Sequence, residues 1–167
     1  MRYIYVFLLW LVFCLSANGQ VTKTITIEGA IAKPLVVSFD NLKSFKSKTI
    51  DSLQILNHKH EYKSTLKGIK GVLLKDVLSK AEFSVNSPKV LSEFYIVCIA
   101  DDGYKVVYSW NELFNSSTGD QTLIVTEVNK TPSINQKEGI MLLTPTDRAT
   151  GRRYVKNFSK VSIQQIK

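Results

Sequence analysis

The sequence predicts an α+β domain dominated by mixed, barrel-like β-sheet, with only short helices. Three observations carry this. Apolar and polar residues alternate at period two in several segments. Helical spacing never lasts beyond about two or three turns. Gly, Asp, Asn and Pro punctuate the chain at short intervals.

Thr24 to Glu28 alternates, with Ile25 and Ile27 on one face, and predicts a first strand ending at Gly29. Pro34 precedes the apolar stretch Leu35-Val36-Val37. Ser38 is placed to cap a short helix over Phe39 to Phe45 that turns Leu42 and Phe45 inward. Thr49 to Leu56 predicts a second alternating strand. The polar stretch Asn57 to Tyr62 follows, then a turn holding Gly68 and Gly71. Leu74, Val77, Leu78 and Ala81 share one helical face and predict a helix over residues 73–81.

Glu93 to Ala100 is almost wholly apolar and predicts a central strand buried on both faces. Asp102-Gly103 predicts a tight hairpin, with Tyr104 to Tyr108 as the return strand. Ser109-Trp110-Asn111-Glu112 has the form of a capping box opening a helix that ends near Asn115. Thr122 to Val128 predicts a strand, 129–138 a loop containing Pro132, Gly139 to Thr144 a strand, and Phe158 to Ile166 the last strand. The expectation is seven or eight strands and three short helices.

The first 19 residues have the layout of a cleavable export signal: Arg2, a 12-residue apolar run from Ile4 to Leu15, then small and polar residues ending at Gly19. The run falls short of the roughly 20 apolar residues that span a bilayer. Expected localisation is therefore periplasmic or secreted, with residues 20–167 as one mature domain and no membrane attachment after cleavage. Cleavage removes Arg2 and Cys14, leaving 21 basic and 14 acidic residues, a formal charge of +7, and Cys98 as the one cysteine. An internal disulfide is excluded in that product. The charge favours anionic partners, but no nucleic-acid-binding motif is present.

Three ordered stretches resemble the molybdopterin-binding domain of the sulfite oxidase family. The first is Ile25 to Ala30 with Lys33-Pro34-Leu35 and Ser38 to Leu42. The second is Lys70 to Leu78, joined by Asp102-Gly103-Tyr104 and Ser109 to Leu113. The third is Gly139 to Pro145 followed by Gly151 to Asn157 and Val161 to Ile163. The resemblance implies that family's fold and, in active members, a molybdopterin cofactor whose metal is held by a cysteine thiolate. That cysteine follows the strand which here ends at Leu56, where this chain has Asn57 and His58. A second family position, an arginine that meets the cofactor's anionic end, aligns with Met141. A thiolate is not replaced by a neutral side chain at a high-valent metal.

The expectation is accordingly an exported, non-catalytic member of this fold, with no catalytic residue, that binds a small anion or a protein partner. Two alternatives stand beside it: a molybdopterin-dependent oxidoreductase with altered metal ligation, and an unrelated small exported binding protein. Asn57, His58, His60, Arg148, Arg152 and Arg153 are the candidate binding residues. The arginines suit oxyanions, because guanidinium forks match their oxygens. His58 and His60 would share one face of an extended strand and so could meet one metal ion; an exposed polar strand end is the commoner explanation of such a pair.

Overall fold

The computed structural model describes residues 21–166. The expected export signal, residues 1–19, lies outside the described residues. Among the described residues, ten strands form two five-stranded sheets, joined by three short α-helices. The α+β class with sheet dominant is what the alternation predicted. The barrel-like closure is not what the described residues adopt, because the strands Leu35–Ser38 and Lys105–Ser109 edge one open sheet and Ser47–Leu56 edges the other.

The first sheet has the order β2-β1-β10-β5-β6, from Leu35–Ser38, Thr24–Gly29, Phe158–Gln165, Phe94–Ala100 and Lys105–Ser109. Only β1 and β10 run parallel in it, with Ile27 opposite Val161. Gly29 ends β1 at φ +107°, and a Cβ there would collide with the Ile163 carbonyl oxygen. No L side chain adopts that backbone without strain. Strand β5 alternates Phe94, Ile96, Cys98 and Ala100 into the core with half-buried Tyr95, Val97 and Ile99 on the other face. It is thus fully buried on one face rather than on both.

The second sheet joins β3 (Ser47–Leu56), β4 (Tyr62–Leu73), β7 (Leu123–Val128) and β8 (Thr131–Pro132), with β9 (Met141–Leu143) paired to β7. Strand β4 falls where the sequence suggested a polar stretch and a turn. Its first half exposes Lys63, Ser64 and Lys67, so solvent on both faces erases the alternation. The expected loop after Val128 contains a two-residue hairpin whose corners, Asn129 and Lys130, both have positive φ, the geometry such turns demand.

The helices are shorter than their apolar patterns. Helix α1 spans Phe39–Leu42, α2 Leu74–Leu78 and α3 Trp110–Phe114. Phe45 and Ala81 pack inward from the turns that follow α1 and α2. Capping boxes open α1 and α3. The Ser109 hydroxyl accepts from the Glu112 amide at 3.0 Å while Glu112 Oε2 accepts from the Ser109 amide at 3.1 Å. Each box satisfies amides that a short helix cannot satisfy itself.

Both sheets feed one large core in which Ile25, Leu42, Leu74, Ile96, Leu113 and Phe158 are sealed from solvent. A smaller cluster of Ile55, Ile69, Val125, Met141 and Leu143 lies on the second sheet, edged by the partly buried Ile50, Leu53, Leu66 and Tyr154.

Candidate functional site

The end of β3 and the 3-10 turn Thr150–Arg153 meet at a cleft of about 370 Å³. Thr150 fixes the junction. Its hydroxyl donates to the Gln54 carbonyl at 2.6 Å and accepts from the Leu56 amide at 2.9 Å. Gly151 permits the close approach, since a Cβ there would lie 2.8 Å from the Leu56 carbonyl oxygen. Asn57 and His58 from the turn, and Arg152 from the 3-10 segment, line the cleft with Lys63, Lys156 and the rings of Tyr104 and Tyr154. Among the described residues, its lining holds no carboxylate.

Neighbouring groups hold this lining in place. The Tyr104 hydroxyl donates to the Arg152 carbonyl at 2.6 Å, tying the hairpin after β5 to the arginine's own backbone. Tyr154 donates to Met141 Sδ at 3.2 Å, and burial, followed by the Glu138 charge, pushes its pKa up to about 12. Lys156 sits 3.4 Å from Glu138 and remains about half exposed. Lys63 is 3.9 Å from Glu61, the loosest ion pair among the described residues. Both lysines thus have a carboxylate nearby, whereas Arg152 makes no ion pair among the described residues.

The six candidate residues divide. Asn57, His58 and Arg152 converge on the cleft; His60, Arg148 and Arg153 do not line it. Asn57 also builds the turn: its Oδ1 accepts from the Lys59 and Glu61 amides at 2.9 and 3.0 Å, and its Nδ2 donates to Glu61 Oε2. His60 has φ 61° and lies beyond the end of β3. The extended geometry that would turn both imidazoles to one side is absent, which corrects the premise of a shared metal. Among the described residues, no group of three or more His, Cys, Asp or Glu side chains is placed to hold a metal ion.

Arg153 corrects the picture of a three-arginine loop. Its Nε and Nη2 donate to Asp147 at 2.8 and 2.5 Å, and its Nη1 donates to Glu112 at 2.8 Å. The guanidinium lies over the Tyr108 ring, 4.4 Å from its centroid. Two carboxylates and an aromatic face use the donors that an anion would need. Arg148 is exposed on the preceding turn, away from the cleft. Sequence reasoning missed Lys63, Tyr104, Tyr154 and Lys156; the clue for the last three was their place in the family-like stretches Asp102-Gly103-Tyr104 and Gly151 to Asn157.

The residues present do not fit a molybdenum centre. The one cysteine among the described residues, Cys98, is fully buried on β5, and burial drives its thiol pKa far up, only partly opposed by the Arg153 charge. It is a neutral core residue without access to the cleft. The cleft offers amide, imidazole, phenol and cationic groups, none of them a soft anionic donor. Met141, aligned with the family's cofactor-binding arginine, is buried under Tyr154.

No family model matches the sequence, and no curated protein matches it. Among solved structures, the crystal structure of the sulfane dehydrogenase SoxCD from Paracoccus pantotrophus is similar, with a TM-score of 0.59 at 15% identity. The match covers 84% of this chain and 38% of that one. This establishes a distant relation of fold to that structure, which the chain matches over about two fifths of its length. At that identity the likeness is one of fold alone.

Proposed function

We propose that the chain is an exported, non-catalytic binding protein built on the sulfite oxidase-like fold, and that its cleft takes a small anionic ligand. One observation carries the reading: Arg152, Lys63 and Lys156 face the same cleft, with His58 at its edge and no carboxylate in its lining. Cations brought together at a partly enclosed surface attract an anion more strongly than the same charges spread over a convex one. Arg152 supplies a planar fork for two oxygens of an oxyanion, and the lysines supply mobile point charges. The buried, protonated Cys98 and the thiol-free cleft favour binding over molybdenum redox turnover.

Calorimetric titration with inorganic phosphate, sulfate and a pterin phosphate tests this directly. At least one of these anions should bind the wild-type protein, and Arg152→Ala together with Lys156→Ala should weaken it by about tenfold or more, as expected for lost charge-assisted hydrogen bonds. Unchanged affinity in the double variant would refute the site. Stoichiometric molybdenum in protein purified from its native source would refute the non-catalytic reading. Mass analysis of that protein should give an N-terminus at Gln20; an uncleaved Met1 would refute export by this signal.

A further inference from the structure

We infer that the outer edge of β3 receives an extended, acidic segment of a partner polypeptide, added to the second sheet as another strand. The Lys48 to Leu53 segment of this edge lies outside the cleft lining, although Lys63 of the same hairpin reaches the cleft, and strand addition there does not require an occupied cleft. Among the described residues, β3 pairs only with β4, so a ten-residue strand has one side without a neighbouring strand. An unpaired edge of this length is a template for strand addition unless the fold covers it.

The cover is partial, and it also reports which way the backbone faces. Thr150 bonds the Gln54 carbonyl and the Leu56 amide, so these groups point away from β4. The ladder from Ser52 to Ile55 runs in unbroken register with Lys67 to Ser64. In an antiparallel ladder, alternate residues turn both backbone groups to the same side. Ser52 therefore also points its amide and carbonyl outward, past the end of the Thr150 staple. Beside this edge the partly buried Ile50, Leu53 and Leu66 rim the smaller apolar cluster, giving a docked strand apolar surface to cover.

Charge selects the occupant. The β3–β4 hairpin exposes Lys48, Lys59, Lys63, Lys67 and Lys70 against the two carboxylates Asp51 and Glu61. Lys48 spends its ammonium on the Asp120 carbonyl, and Glu61 faces Asn57 and Lys63. A second copy of this hairpin would bring like charges together, which disfavours self-pairing. A segment with carboxylates on one face and β-branched residues on the other satisfies both the lysines and the apolar rim. Main-chain hydrogen bonds would supply affinity and the side-chain faces selectivity.

The test uses acetyl-(Val-Glu)4-amide as probe, acetyl-(Val-Lys)4-amide as its charge-reversed control, and amide NMR on the full chain. The Glu peptide should shift and protect amides in 48–53, lose at least tenfold in affinity between 50 mM and 500 mM NaCl, and outcompete the Lys peptide. Ser52→Pro removes one outward donor without touching the β4 ladder, and should weaken the Glu peptide at least fivefold with the β4 amides unchanged. Lys67→Glu with Lys70→Glu gives a second variant that should also weaken it. Equal binding of both peptides, shifts that map to Arg152 and Lys156 instead, self-association through β3, or a preference for anionic vesicles over the Glu peptide would each overturn the inference. Loss of cleft binding with edge binding intact would refute the anion reading alone.

Discussion

Arg152 and Arg153 are adjacent in the chain and differ entirely in what surrounds them. Arg153 is about four-fifths buried, held by Asp147 and Glu112 and stacked on Tyr108. It locks the turn after β9 onto the capping box of α3. Arg152 is exposed, has no carboxylate partner among the described residues, and faces a cleft with two lysines. A cation surrounded by its counter-charges stabilises a fold; a cation left without them is available to a ligand. The likeness of the Gly151-to-Asn157 stretch to a cofactor-binding segment does not distinguish the two, whereas their neighbours do.

The largest effect should come from Arg153→Met. The substitution keeps the stem that packs on Tyr108 but leaves Asp147, itself only 16% exposed, facing a thioether. Removing one partner of such a pair strands the other charge, at a cost of about 3 kcal/mol. Urea unfolding should show this as a lower midpoint with unchanged slope. Anion affinity at the cleft should hold in the folded variant. A loss below about 0.5 kcal/mol, the ordinary range for surface changes, would erase the contrast between the two arginines.

The same buried region sets an alkaline limit. Burial raises the pKa of Cys98 and of Tyr108, and that of Tyr154 to about 12. Each group keeps its proton in the folded chain at pH values where the unfolded chain releases it. Their contribution is complete below about pH 8.5, the unfolded thiol's range, and declines as pH rises. Between pH 8 and pH 9.5 the unfolding free energy should fall by about 1.5 kcal/mol, most of it from the thiol. Cys98→Ala, though less stable overall, should show a flatter profile. An identical slope in that variant would mean that the thiol titrates alike in both states.

Legibility in the sequence followed solvent exposure. Strands with one dry face, such as β1 with Ile25 and Ile27 or β10 with Val161 and Ile163, announced themselves by alternation. The capping box at Ser109 did so by the reach of its side chains. Strand β4 did not, because its first half is wet on both faces and holds its place through pairing with β3. The cleft was half legible. Asn57 and His58 stood out at the family's cysteine position and Arg152 as a guanidinium in a family-like segment, while Lys63 and Lys156 read as ordinary surface lysines until the fold brings them together. Arg153 was misplaced for the complementary reason: its partners Asp147 and Glu112 are six and 41 residues away, and nothing in the local pattern says that they meet it.

The smallest predicted effect joins the two regions. Thr150 is nearly buried, and its hydroxyl holds both the Gln54 carbonyl and the Leu56 amide. Thr150→Val preserves the shape and removes both bonds, leaving two backbone groups at the strand edge to find water. Because water reaches that edge, the cost should be near the lower end for lost hydrogen bonds, about 1 kcal/mol. Hydrogen exchange should quicken at Leu56 and hold at Leu113, inside the core. Anion affinity should fall modestly, since the turn carrying Arg152 loses one of its two ties to the cleft while the Tyr104 bond to its carbonyl remains. If exchange at Leu113 quickens as much as at Leu56, Thr150 supports the whole fold, and the cleft has no separate local anchor.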